Sequence, residues 1–218
     1  MSASNKKEKA FIIDAPRLPT DPEQANIDVF LNEEEIYGLS FSRCETDKRR
    51  LTGLNADKCR FNGVKAVGCE FKNVNFTDCV FINCDFSSAV FDTCGIWRVE
   101  FRECKFTGAS FTGCRLADLS LNKCIGSMLA VDKCKISKTA IEECRLDKIA
   151  FIQNNILSMK CRENDFSGIE IEGTPFKGVD LSDSKLDGAR IDVKCLSGAR
   201  VSIVQGEMIL KSLGITVK

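Results

Sequence analysis

The stretch FKNVNFTDCVFINCDFSSAVFDTCGIWRVEFRECKFTGASF, residues 71–111, places a phenylalanine or isoleucine on every fifth residue: Phe71, Phe76, Phe81, Phe86, Phe91, Ile96, Phe101, Phe106 and Phe111. Two residues before each of these stands a small or medium apolar side chain: Cys69, Val74, Cys79, Cys84, Ala89, Cys94, Val99, Cys104 and Ala109. The other three positions of each five are mostly polar or glycine. An amphipathic helix would carry apolar residues at spacings of three and four, and a lone strand would alternate at two. A period of five with an internal spacing of two describes a short extended piece with two inward side chains, followed by a polar corner. Repeating piece and corner winds a coil, and a fixed short period is the mark of a solenoid.

Outward from this stretch the same beat runs over residues 31–201, always on numbers ending in 1 or 6, and only Thr46, Ala56, Ala66, Gly126 and Cys161 depart from Phe, Leu, Ile or Val. No insertion shifts the phase, so no loop is expected to project from the coil. From Cys94 to Cys144 the smaller inward position alternates between cysteine and another residue (Val99, Ala109, Leu119, Leu129, Thr139). An even number of sides stacks that alternation into columns of like volume, which suits close packing. Four sides give coils of about 20 residues, about nine coils and a rod of roughly 40 Å at one strand spacing per coil. Cys84, Cys104, Cys124 and Cys144 then share one column, with Cys94, Cys114 and Cys134 in the opposite one.

Thirteen cysteines and no histidine stand among the 218 residues. Eleven of the cysteines (Cys44, Cys59, Cys69, Cys79, Cys84, Cys94, Cys104, Cys114, Cys124, Cys134, Cys144) fall two residues before the beat, where a reduced thiol packs as a small hydrophobe. No CxxC pair exists, and stacked side chains face along one line instead of converging on a tetrahedron, so neither zinc nor any other metal or cofactor is expected. Parallel stacked thiols also suit a disulfide poorly. Cys195 falls immediately before a beat and is expected to point outward as the most reactive thiol.

The 31 basic and 31 acidic residues cancel, which removes the readings of a basic chain seeking nucleic acid or a uniformly acidic one imitating it. The phenylalanines sit on the beat, except Phe11 and Phe30, so no surface interleaves bases with aromatics, and direct nucleic-acid binding is not expected. No apolar run reaches membrane length, which predicts a soluble, cytoplasmic protein. Without histidine a Ser-His or Cys-His pair cannot form, and the carboxylates fall on outward corners, so no catalytic residue is assigned and no enzyme is expected.

Residues 1–26, with Pro16, Pro19 and Pro22 and an apolar patch at 11–13, read as a flexible or loosely docked tail. Residues 27–201 read as the β-helix. In its first coil Val29 and Leu39 fill inward slots, while Glu34 and Arg49 fall in such slots as an imperfect cap with charges reaching solvent. Asn154, Met159, Cys161 and Asn164 mark a weaker zone over 154–164, either a kink or an amide ladder between coils. Lys194, in an inward slot, suggests a loosened last coil. Residues 202–218 change period: Ile203, Val204, Met208, Leu210 and Leu213 have mostly helical spacings, Ser202 is placed to cap and Gly214 to terminate, and Ile215 and Val217 follow as an apolar strand. This segment covers the open end of the solenoid and is read as a dimerisation module formed by these seven apolar residues. Among outward positions, Val80, Ile82 and Val90 are scattered apolar residues, while Trp97 with Arg98 is the pair that interface hot spots favour and the candidate partner contact.

The beat resembles that of the pentapeptide repeat proteins, whose consensus A(D/N)LXX is matched by Val179-Asp180-Leu181-Ser182-Asp183 and, with phenylalanine at the centre, by Asn83-Cys84-Asp85-Phe86-Ser87. That resemblance implies an all-β, right-handed quadrilateral β-helix with a short C-terminal α-helix. Leu196-Ser197-Gly198-Ala199-Arg200-Val201, followed by Gln205, Ile209, Leu210, Leu213-Gly214-Ile215 and Val217, is similar to the end of the quinolone-resistance (Qnr and MfpA) group. The resemblance implies a homodimer that binds DNA gyrase or topoisomerase IV and protects it from fluoroquinolones. Two features depart from the group: no loops project, and the chain is neutral where the group's rods are often acidic. The alternative is a pentapeptide scaffold that binds another protein.

Overall fold

A computed structural model describes residues 11–217, and the first ten residues of the expected tail and Lys218 lie outside the described residues. The chain winds as a parallel β-solenoid in which, from Glu35 onward, the coil-to-coil ladders pair residues 20 apart, such as Ile96 with Leu116 and Leu116 with Ile136. Each coil has four sides. One carries strands such as Asn55–Asp57 and Asn75–Thr77, the next Arg60–Asn62 and Val80–Ile82, and the third is joined only by isolated bridges. The fourth carries Arg50–Thr52, Glu70–Lys72 and Val90–Asp92. The bridged column Glu45, Lys65, Asp85, Lys105, Ile125, Arg145, Asp165, Lys185 links eight coils, one fewer than expected. The coil count falls short because the first beat, Leu31, belongs to a helix.

That helix, α1 (Ile27–Asn32), is capped by Asn26, whose side chain accepts the Asp28 N–H. Val29 and Leu31 therefore do not start the solenoid, as their spacing suggested, and are only half-buried. The off-beat Phe30 is buried instead, with its ring 5.2 Å from Phe61 and 5.7 Å from Phe41. It closes the end of the core that a bare first coil would leave wet. Glu34 and Arg49 are exposed, as expected of charges at an open end.

Each side ends two residues after the beat in a left-handed residue, for example Asn73, Asp78, Asn83 and Ser88, and this makes the corner. Inside, the beat residues stack on themselves: Phe41, Phe61, Phe81 and Phe101 in one column, with centroids 4.6–5.1 Å apart, and Phe71, Phe91 and Phe111 in another at 4.5–4.7 Å. Burying each such ring contributes about 1.5–3 kcal/mol. At Gly126 the beat is silent because a Cβ there would stand 3.0 Å from the Phe106 carbonyl carbon.

The inward cysteines, all free, do more than fill space. Cys94 Sγ lies 3.2 Å from the Phe71 carbonyl, Cys114 Sγ 3.3 Å from that of Phe91, and Cys134 Sγ 3.4 Å from that of Phe111, a rung repeated 23 residues back each time. Asn154 continues the column: its Nδ2 donates to the Val131 carbonyl at 2.8 Å, and its Oδ1 accepts the Cys134 N–H at 2.8 Å. Thr174 follows with 3.0 Å to the Phe151 carbonyl. Asn164 does the same in the opposite column, to the Ile141 carbonyl and from the Cys144 N–H. The zone at 154–164 is therefore a ladder in unbroken register, with every buried amide partnered.

Near the C-terminal end one side of the coil departs from the extended form, while the ladder keeps its spacing of 20 before and after it. A 3-10 turn, Val193–Leu196, is capped by the Asp192 side chain on the Lys194 N–H. It turns Lys194 out to solvent and Cys195 into the core, the reverse of the expectation for both. The reason is the cost of an unpaired ammonium in an apolar interior. Helix α2 (Ile203–Ser212) then covers the last coil through a capping box between Ser202 and Gln205. Gln205 is buried and donates to the carbonyls of Leu181 (2.8 Å) and Ser184 (2.5 Å). Residues 215–217 form no strand within the single chain.

Candidate protein-interaction surface

Two surface features stand out. The first is the corner that carries Lys58, Asp78, Arg98, Asp118 and Lys138, one residue per coil, each left-handed and each opposite in sign to its neighbour. Arg98 holds Asp78 through two hydrogen bonds, Nε to Oδ1 at 2.6 Å and Nη2 to Oδ2 at 2.7 Å. Lys138 Nζ stands 3.1 Å from Asp118. Trp97 lies beside the ladder with 52% of its surface exposed, its ring centroid 4.0 Å from the Arg98 guanidinium carbon. The expected pair thus divides its roles: Trp97 faces solvent, while the Arg98 side chain is 11% exposed and engaged by Asp78.

Residues 11–22 run along this corner. The Arg17 N–H donates to Asp78 Oδ1 at 3.0 Å, the Asp14 N–H donates to Asp118 Oδ1 at 3.1 Å, and the Asp14 carboxylate meets Lys138 at 3.0 Å. Nearer the coil start Pro19 packs over Gly38, and Glu23–Gln24 pairs in parallel with Leu39–Ser42. Burial works to raise the Asp78 carboxyl, but the Arg98 hydrogen bonds, the Arg17 N–H and the Arg98 charge outweigh it and hold the group below its ordinary value. Lys138 likewise holds Asp14 below its own. Val80, expected outward, is buried on its strand between Arg60 and Glu100 of the neighbouring coils.

Sequence reasoning missed Asp78, Asp118 and Lys138 as a set. The signal was present: once the coil is fixed at 20 residues, the sign alternation of residues 58, 78, 98, 118 and 138 can be read directly. Opposite charges also meet between neighbouring coils on the sides of the rod, with Arg50 on Glu70 (2.5 Å), Lys65 on Glu45 (2.6 Å), Lys72 on Asp92 (3.7 Å) and Lys185 on Asp165 (3.6 Å). Each exposed pair contributes about 0–1 kcal/mol, so the weight of the pattern is in its signs. It breaks the flanks into small patches of either charge.

The second feature is the C-terminal end. Ile203 is 92% exposed, and Val204, Leu210, Leu213, Ile215 and Val217 are also exposed, while Met208 is half-buried beside the last coil. Gly214, at φ +77°, reverses the chain after α2 and brings Ile215 back to donate its N–H to the Leu210 carbonyl at 3.0 Å. The seven residues expected to form a dimer seam thus share one cap, with six of them open. Among the described residues no group of three His, Cys, Asp or Glu could hold a metal ion, and no helix is long and apolar enough to cross a membrane.

Residues 54–126 match the family model described as the pentapeptide repeat region. Among solved structures, the full-length plasmid-mediated fluoroquinolone resistance protein QnrB1 aligns at 22% identity over 89% of this chain and 96% of its own, with a TM-score of 0.39. HetL, a pentapeptide repeat protein involved in heterocyst differentiation regulation in the cyanobacterium Nostoc, aligns at 11% identity over 76% of this chain and 86% of its own, with a TM-score of 0.38. Comparison with curated proteins found no match. The superpositions are loose. The matched segment lies inside a 20-residue register that continues to both sides of it, so residues 54–126 are similar to the pentapeptide repeat region and the coils on either side repeat the same winding.

Proposed function

We propose that the protein is a non-enzymatic, protein-binding rod that works in the cytoplasm as a homodimer joined at its C-terminal ends. The observation that carries this reading is the apolar cap: Ile203, Val204, Leu210, Leu213, Ile215 and Val217 are exposed together at one end of a rod whose core is otherwise closed. A contiguous apolar surface of this kind marks an interface, and a two-fold axis lets the same patch satisfy itself. Residues 215–217 belong to no strand of the single chain, and an edge of extended backbone there can pair across that axis.

Within this reading, the C-terminal sequence over residues 196–217 supports a type II topoisomerase, DNA gyrase or topoisomerase IV, as the partner, with relief of fluoroquinolone poisoning as the outcome. The paired charges favour the other reading, a scaffold for a different protein, because basic residues interrupt the acidic ones from coil to coil and leave no continuous acidic strip at these pairs to stand in for DNA. Gyrase-catalysed supercoiling at a fixed inhibitory fluoroquinolone concentration, titrated with the protein, separates the two. Supercoiling restored before any inhibition by the protein alone supports topoisomerase protection. No effect on gyrase or topoisomerase IV leaves the scaffold.

A further inference from the structure

The covered corner has the geometry of a peptide site. Asp78 and Asp118 stand two coils apart, a rise of about 10 Å, and three extended residues span the same distance. The chain uses that match: the N–H groups of Arg17 and Asp14, three residues apart, fall on the two carboxylates. Both carboxylate side chains are nearly buried, at 3% and 8% exposure. The segment covering them is held through side chains of the coils. Among the described residues no backbone-to-backbone hydrogen bond joins residues 11–22 to the coils, and Phe11 and Ile12 are exposed. Beside it, Phe11, Ile13 and Pro16 share a groove with Val99, Ser120 and Ala140.

The geometry points to this corner as a docking site for an extended peptide segment of a partner protein, with the chain's own residues 11–19 as its resident occupant. Recognition runs through backbone N–H groups, so the site tolerates many sequences, as extended-peptide sites do. Lys138 adds a preference for a carboxylate on the residue whose N–H meets Asp118, the place Asp14 fills here. The positions of Pro16 and Pro19 need no N–H, and proline there keeps the peptide extended. The inference rests on the protein-binding reading and gives it a place on the rod separate from the pairing end.

The test uses the full chain and Trp97, its one tryptophan, whose indole N–H lies 3.3 Å from Asp118 and reports on occupancy. Replacing both Asp14→Pro and Arg17→Pro removes the two N–H donors and leaves the segment extended. A tethered segment competes at an effective concentration on the order of millimolar. Titrated with the synthetic peptide FIIDAPRLP, the double variant should show a saturable change in Trp97 emission with at least tenfold tighter apparent binding than the unmodified chain. Adding Asp118→Asn to the double variant should weaken that binding tenfold or more, asparagine being at ease at this left-handed corner. No saturable change, or equal binding with Asp118→Asn, overturns the site. Light scattering on the same samples keeps the two ideas apart: a dimer that binds no peptide loses only the groove, and a monomer that binds it loses only the pairing.

Discussion

Trp97 donates its indole N–H to Asp118, on the next coil, at 3.3 Å, and the other oxygen of the same carboxylate accepts the backbone N–H of Asp14. One carboxylate thus ties an exposed aromatic, the coil corner and the N-terminal segment together.

The contacts of Asp14 and of Asp78 that seat the N-terminal segment have a pH signature. The folded-state values of Asp14 and Asp78 both lie below the ordinary 3.8. A depressed carboxylate contributes stability that is fully present above its unfolded value and is lost as pH falls through its folded one. Asp14 faces Lys138, and Asp78 faces Arg98 and Arg17. Trp97 emission should therefore be constant from pH 7 down to about pH 4 and change below it. A constant signal to pH 2 would show that these contacts do not hold the segment.

The inward ladder predicts a ranking of substitutions at Asn154. Asn154→Leu strands the Cys134 N–H and the Val131 carbonyl, and buried unsatisfied groups cost about 1–3 kcal/mol each. Asn154→Cys restores the rung that Cys94, Cys114 and Cys134 make, and should lose clearly less. Urea midpoints measure the difference, and equal midpoints for the two variants would reduce the ladder to a by-product of packing.

Thiol chemistry checks the inward place of Cys195. Cys44 alone is half-buried, and the other twelve cysteines, Cys195 included, are buried. Burial pushes the Cys161 thiol up to about 12 and raises that of Cys44. A disulfide reagent should label at most one thiol quickly in the native protein and all thirteen in denaturant. Cys44→Ser should abolish the fast phase and Cys195→Ser should leave it unchanged. A fast phase lost with Cys195→Ser would restore the outward reading of that residue.

The fold was legible because one period governs it: the beat set the core columns, and the cysteine alternation set the even number of sides. What escaped lies where another force overrides the beat. Phe30 caps the core from a helix because the first coil has nothing beneath it. Cys195 replaces Lys194 inside because an ammonium cannot stay there. The Asp78–Arg98–Asp118–Lys138 ladder was invisible at a five-residue period and clear at 20, and the docking of residues 11–22 on it had no periodic signal. Trp97 was picked out by its outward slot, but its partner Arg98 proved to be engaged within the chain.

The topoisomerase reading predicts that the fluoroquinolone-inhibited supercoiling reaction recovers in the presence of the unmodified protein and less so with a pairing-deficient variant. Recovery equal for both would separate protection from the cap.

The central claim, a rod paired through its apolar end, is tested most directly by size-exclusion chromatography with light scattering. The unmodified protein should show twice the 24.1 kDa chain mass, and Leu213→Asp the single-chain mass, with the β-rich circular dichroism unchanged. A single-chain mass for the unmodified protein, or a dimer that survives Leu213→Asp, would contradict it.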